Sequence, residues 1–230
     1  MTRLEQVLVS VVVVASFVVP AFAASDREDD MSRVRHSAEV FQEIMSTPDN
    51  AIPQELLESA KCVAIIPGEE KAAFFFGERY GKGVAVCRTT HGWSAPLFLA
   101  VGGGSFGFQW GASSTDIVML FMNDHALRSL LNDKFRVGAD ASVAAGPVGR
   151  HVAAGTDVKL KAEILTYSRA KGVFAGVSLD GAVVQADHSG DEAMYGRNVQ
   201  RRQILDGAVA VPQVAQALDA EIRRYARAAA

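Results

Sequence analysis

The chain has 230 residues, 49% hydrophobic and 21% charged, with a net charge of −3 and a pI of about 6.0. That length supports one large domain or two small ones, and the composition leaves enough apolar material for a real core. No global positive field draws the chain to nucleic acid, so an anionic partner has to be met by a local basic patch.

The N-terminus reads as an address. Residues 7–19, VLVSVVVVASFVV, are followed by Pro20 and then Ala21-Phe22-Ala23. The apolar run is short of the roughly 20 residues that span a bilayer. Ala21 and Ala23 make an A-x-A signal, so residues 1–23 are expected to be a signal peptide cut before Ala24. No cysteine lies there to carry a lipid anchor. The expected product is an exported chain, periplasmic or secreted, with residues 24–230 as a single domain.

Residues 24–30 are polar. Met31, Val34, Ala38, Phe41 and Met45 then recur every three or four residues, one apolar stripe of a helix. Pro48, Asp49 and Asn50 break it, and Pro53 suits the first turn of a short second helix through Ala60. From Lys61 the period changes. CVAII, AAFFFGE and GVAVCRT are short β-rich runs separated by Pro67-Gly68 and by Tyr80-Gly81-Lys82-Gly83, and APLFLAVGG, FGFQWG and TDIVMLFM extend the pattern. Asn123 is placed to cap a helix with Leu127, Leu130 and Leu131 on one face. Strand character returns over 134–145, 152–169 and 172–184, and 190–202 reads as irregular and polar. A last helix starts near Pro212, with Val214, Leu218, Ile222 and Tyr225 on one side and Arg223, Arg224 and Arg227 suiting its C-terminal dipole. Consecutive strands point to one α+β domain, mostly antiparallel sheet, barrel- or sandwich-like, with helices at both termini.

Most catalytic and metal signatures are absent. Gly102, Gly104 and Gly107 satisfy G-x-G-x-x-G, but the run FGFQWG at 106–111 alternates like a strand and does not open a helix, so a bend or bulge is expected and no nucleotide cofactor. The histidines at 36, 91, 125, 151 and 188 are scattered, which gives no zinc site. DHSGDE, with Asp187, Asp191 and Glu192, lacks the calcium-loop pattern and reads as a solvated acidic loop. There is no G-x-S-x-G elbow, and no enzyme is expected. Cys62 and Cys87 suggest a disulfide in an exported chain. If 62–66, 72–78 and 83–88 form a meander, however, the thiols sit at opposite ends of the sheet, so two buried free thiols are the expectation.

Binding signals are more frequent. Trp93, in GWSAP, has two readings: a core ring with a satisfied indole N–H, or an aromatic rim at a lipid interface. Arg150, in GPVGR, offers a bidentate fork either to a phosphate or to an internal carboxylate. Lys159, Lys161, Arg169 and Lys171 share one parity. If 159–171 is continuous strand, they form a basic stripe, either solvated or facing phosphates. Phe174 follows as an apolar contact.

Five phrases, GWSAPLF, VGGGSFGFQWG, STDIVMLFMN, GADASVAAGPVGR and YSRAKGVFAGVSLDGA, together with AIIP and YGKG before them, resemble the SYLF domain in content and order over roughly residues 38–207. The resemblance implies a binding module for acidic lipids such as phosphoinositides, with actin association in yeast members and an N-terminal amphipathic helix contributing in some eukaryotic ones. Here the matching helix is the stripe flanked by Arg33, Arg35 and His36. No SH3 or FYVE module accompanies it within these residues. The expected function is therefore an exported peripheral domain that binds an anionic phospholipid or related envelope amphiphile. Arg150, Lys159, Lys161, Arg169, Lys171, Trp93 and Phe174 are its candidate contacts. The alternative is an envelope protein-interaction or structural protein, and in neither case is a metal or nucleic acid expected.

Overall fold

The structure is a computed structural model that describes residues 19–46, 51–68, 79–103, 115–148, 161–170, 173–176 and 179–226. The apolar part of the expected leader before Val19, the breaker at 48–50, the strands expected over 72–78 and 106–111, and Arg150, Lys159 and Lys171 lie outside the described residues.

Helix α1 (Val19–Met45) carries the expected stripe, and the short α2 (Gln54–Ser59) follows it. Strands β1 (Cys62–Ile66), β2 (Arg79–Thr89), β3 (Gly92–Trp93), β4 (Leu97–Gly103) and β5 (Thr115–Phe121) come next. Helix α3 (Asp124–Ser129) is capped as expected, the Asn123 side chain accepting from the Ala126 N–H. Then come β6 (Lys134–Arg136), β7 (Val143–Ala145), β8 (Ile164–Ala170), β9 (Val173–Gly176) and β10 (Val183–Ala186). The chain finishes with α4 (His188–Tyr195), α5 (Arg201–Leu205), a 3-10 turn (Gln213–Ala215) and α6 (Gln216–Tyr225).

The sheet runs β6-β10-β4-β2-β1-β5-β8-β7, with β3 beside β2 and β9 beside β8. All pairings between named strands are antiparallel except β7 with β8, and the sheet curls into a half-barrel, so the α+β expectation holds. Its two ends differ. Ile66, Arg79, Gly103, Thr115, Ala170 and Val173 lie at one end, here the hairpin end, while Cys62, Cys87, Phe121 and Ile164 lie at the other.

Both faces are covered, which explains why all five residues of β1 are buried. On one face Val63, Ile65, Val84, Val86, Phe98, Val118, Leu120, Leu165 and Tyr167 pack with Val34, Phe41 and Ile44 of α1, Leu57 of α2 and Leu218 and Ile222 of α6. On the other, Ala64, Leu97, Leu99, Met119, Phe121 and Ile164 pack with Leu130, Ile204 and Leu205. Each fully buried side chain of this size contributes about 1.5–3 kcal/mol. The stripe of α1 is thus a core face.

Three expectations are corrected. Cys62 and Cys87 are disulfide-bonded, S–S 2.05 Å. Strand β2 pairs directly and antiparallel with β1, which sets the two cysteines opposite one another. The Cys87 N–H donates to the Ser94 hydroxyl and its carbonyl accepts from the Ser94 N–H. Across to Cys62 the pair is therefore not hydrogen-bonded, which is where side chains come closest. Second, Tyr80-Gly81-Lys82-Gly83 is no turn but part of β2. A Cβ at Gly83 would sit 2.2 Å from the Ile65 carbonyl, so the glycine serves close strand contact. Third, residues 190–202 are largely helical, in α4 and α5. Asp187 caps α4, and a Gln200–Gln203 capping box starts α5.

Candidate functional site

Helix α1 crosses the sheet like a strap and is held at two places by charge. At the first, Arg33 Nη1 donates to Asp187 Oδ2 at 2.8 Å and Nη2 pairs with Asp30 at 2.8 Å. Lys82 Nζ, on β2, reaches the same Asp187 oxygen at 3.3 Å, and the Arg33 guanidinium lies 5.2 Å from the Phe98 ring centroid. Arg33, Asp30 and Asp187 are all buried. Burial works against the Asp187 charge. Hydrogen bonds from Ser189 and Arg33 and the charges of Lys82 and Arg33 outweigh it and hold the carboxyl at about 2. Burial raises Asp30. The neighbouring Asp191 accepts from the Phe98 N–H at 2.9 Å and from Arg201 at 2.5 Å, and burial pushes it up to about 6. Asp187 and Asp191 of DHSGDE are therefore buried at a junction of α1, α4, α5 and the sheet, while His188, Ser189 and Glu192 stay exposed, and the solvated acidic loop is corrected for the two aspartates.

The second place is at the hairpin end. Arg169 of β8 gives Nε and Nη2 to Asp116 Oδ2 of β5, at 2.8 and 2.6 Å, and Nη1 to Glu43 of α1. Asp116 is fixed by its other oxygen, which accepts from the Gly68 N–H at 2.8 Å. Burial works against the Arg169 charge, but the hydrogen bonds to Glu43 and Asp116 more than offset it and raise its pKa. From Arg33 to Glu43 the helix rises about 15 Å, the width of three strand spacings. The strap thus reaches from β2 to β8.

The expected contacts separate in space. Lys161 is exposed in the turn before β8, at the disulfide end, whereas Arg169 sits at the hairpin end. Strand β8 begins only at Ile164, so the continuous 159–171 stripe is corrected. Trp93 is 4% exposed and belongs to the core, with the Arg88 guanidinium 4.5 Å from its ring centroid. Arg88, missed in the sequence, donates to the carbonyls of Leu57, Glu58, Ala60 and Ala226, tying the ends of α2 and α6 to β2. Burial lowers its pKa. Phe174 is described in backbone only, in register with Arg169, and Ala170 pairs with Val173 across the two-residue link 171–172. Gly146, the first residue of GPVGR, is a point of close approach. A Cβ there would lie 2.0 Å from Tyr167 Cζ. Gly146 brings the chain past β8 and β9 towards the hairpin end. Among the described residues no cluster could hold a metal ion, and no helix is long and apolar enough to cross a membrane.

A family model described as "Ysc84: Las17-binding protein actin regulator" matches residues 102–225, from the end of β4 through α6. The chain belongs to the Ysc84/SYLF family. It is 37% identical over 174 residues to Protein YSC84 of Saccharomyces cerevisiae, covering 74% of this chain and 37% of that protein. It is 33% identical over 183 residues to the human SH3 domain-containing YSC84-like protein 1, covering 78% of this chain and 53% of that protein. LAS seventeen-binding protein 3 of S. cerevisiae is 36% identical over 168 residues, covering 71% of this chain and 36% of that protein. The chain thus spans about a third to a half of the length of these relatives. The SYLF resemblance carried by the glycine-rich phrases is confirmed at the level of the family.

Proposed function

We propose that this SYLF domain is a non-catalytic, exported binding module that docks on anionic lipid headgroups at the hairpin end of its sheet. The observation that carries this reading is the β8–β9 hairpin, which sets Arg169 and Phe174 in register and has Lys171 in the link between its strands. Stable attachment to a membrane surface takes two signals, and a cation beside an aromatic residue supplies both kinds. Arg150, four residues beyond Gly146 in the sequence, is a further candidate, and Lys159 remains one. The paired Arg169, the turn residue Lys161 and the buried Trp93 are weaker ones. The Cys62–Cys87 bridge supports export, because disulfides persist in oxidising compartments.

Co-sedimentation with zwitterionic vesicles and with vesicles containing an anionic phospholipid, at two salt concentrations, tests the lipid reading. Binding should require the anionic lipid, weaken with salt, and fall at least tenfold in Lys171→Glu/Phe174→Ser. Equal binding to both vesicle types, or none, refutes it. Intact mass tests export, and the mature chain should begin at Ala24. A second reading, a protein-binding module, is favoured by the Las17-binding description of the family model. Capture of a defined partner without lipid, unaffected by the hairpin substitutions, would support it.

A further inference from the structure

Cys62 and Cys87 are both 0% exposed, on the face of the sheet that α3 and α5 cover, in one buried cluster with Phe121, Ala126, Ile204 and Leu205. A disulfide is broken only when a thiolate reaches one of its sulfurs. Neither sulfur is within reach here. Strands β1 and β2 cannot part to admit one, because each is paired on both sides. The covering helices differ in how they are tied. Helix α3 follows directly on β5, whereas α5 has irregular chain on both sides, 196–200 and 206–212. Helix α5 is five residues long, and its buried side chains are Ile204 and Leu205. Its first residue, Arg201, fastens it to three elements. Nη1 donates to Asp191 of α4 at 2.5 Å and to the Phe98 carbonyl of β4 at 3.0 Å, and Nη2 donates to the Leu130 carbonyl after α3 at 3.2 Å. Beyond its other end Gly207 lies against β2, where a Cβ would come 2.9 Å from Cγ2 of Thr89, two residues past Cys87.

We propose that α5 is a latched cover over the Cys62–Cys87 bridge: exchange at these sulfurs with an outside dithiol takes place only when Arg201 lets α5 lift from the sheet. The exchange itself is ordinary. A thiolate of the dithiol bonds to one cysteine sulfur, the S–S bond breaks, and the other cysteine leaves with the bonding pair and takes up a proton. The second thiol of the reagent then displaces the first cysteine, so the dithiol is oxidised to a disulfide and the bridge is reduced to two thiols. A short element held by few fastenings opens at lower cost than the whole fold, which makes α5 the route to the sulfurs. The bridge therefore persists in reducing surroundings for as long as α5 is seated. This inference is independent of the lipid reading.

The test incubates the oxidised full chain with dithiothreitol, without denaturant, and counts alkylated thiols by mass against time. Wild type should lose its bridge more than about a hundredfold more slowly than the urea-unfolded chain. Arg201→Gln breaks a buried ion pair and should speed native-state reduction at least about tenfold. Leu205→Ala thins the cover and should speed it as well. Arg202→Gln, on the same helix with a side chain 77% exposed, should stay within about twofold of wild type. Arg33→Gln breaks a buried pair on the opposite face of the sheet and controls for general destabilisation. At matched unfolding stability it should be reduced at least about threefold more slowly than Arg201→Gln. Urea below the unfolding transition should raise the wild-type rate with a slope well under the equilibrium m-value, because lifting one short helix exposes little surface. A slope equal to m, or Arg33→Gln as fast as Arg201→Gln at matched stability, means that whole-chain unfolding bares the bridge and overturns the proposal. So does an Arg201→Gln rate no different from wild type. Native wild type reduced as quickly as the unfolded chain overturns the cover itself. If Arg201→Gln does not fold, Leu205→Ala and the urea slope decide.

Discussion

Asp187→Asn removes one negative charge from the junction under α1 and puts an N–H donor where Oδ2 accepted from Arg33 and faced Lys82. The cap of α4 survives, because an Asn carbonyl accepts from the Gly190 N–H as the Asp187 oxygen does, at 3.3 Å. What is lost is the counter-charge of Arg33 and Lys82, the former buried with only Asp30 left to pair it. The carboxyl itself sets the magnitude. Held at about 2 in the folded protein against an ordinary value of 3.8, Asp187 favours the folded state whenever it is ionised. That stability is fully present above about pH 4 and is lost as pH falls through the folded value. Linkage gives about 2 kcal/mol at pH 7, about 1 kcal/mol at pH 3 and under about 0.5 kcal/mol at pH 2. Breaking a buried ion pair by removing one partner costs about 3–5 kcal/mol in general, so the linkage figure is the lower bound at neutral pH. Urea unfolding of wild type and variant, extrapolated to water at each pH under non-reducing conditions, measures the gap. It should hold from pH 7 to about pH 4 and close between pH 4 and pH 2. A gap of the same size at pH 7 and pH 2 would show that packing, not charge, holds the strap at this point.

Three other outcomes are expected. Thiol titration of the denatured protein without reductant should find no free thiol. Reduction should lower unfolding stability by about 3.5 kcal/mol, the loop-entropy value for a bridge spanning 25 positions. Lys161→Glu, at the disulfide end, should leave anionic-vesicle binding within about twofold of wild type, and a tenfold loss would return that end of the sheet to the binding surface.

What could be read from the sequence was what is local. The α1 stripe, the Asn123 cap and the antiparallel character depend on neighbours within a few residues or on one period, and each is present. The cysteine pairing depended on which strand lies beside β1. Taking 72–78 as the neighbour placed the thiols apart, whereas β2 is the pairing partner and places them together. The Tyr80–Gly83 run carried the composition of a turn, yet its glycines answer to Ile65 and Ile66 across the sheet. Asp187 carried a readable signal, an aspartate three residues before Gly190 whose N–H it caps. Counting DHSGDE as a failed calcium loop hid that signal.

The basic stripe is not continuous because β8 begins only at Ile164, after Lys161, and the pairing of its Arg169 has a different physical reason. Parity decides which way a side chain leaves a strand, but whether a cation is available to a ligand depends on the carboxylates that folding delivers to it. Arg169 meets Asp116 from 53 positions away and Glu43 from 126, and Arg33 meets Asp187 from 154. None of these separations leaves a periodic trace. All three arginine contacts involve α1 or the sheet beneath it, so the helix expected to offer an apolar face to a membrane instead supplies the charges that neutralise the sheet. Under the lipid reading proposed above, substitutions in the β8–β9 hairpin should therefore weaken docking on anionic vesicles, whereas loss of a buried, paired cation such as Arg33 should act on stability.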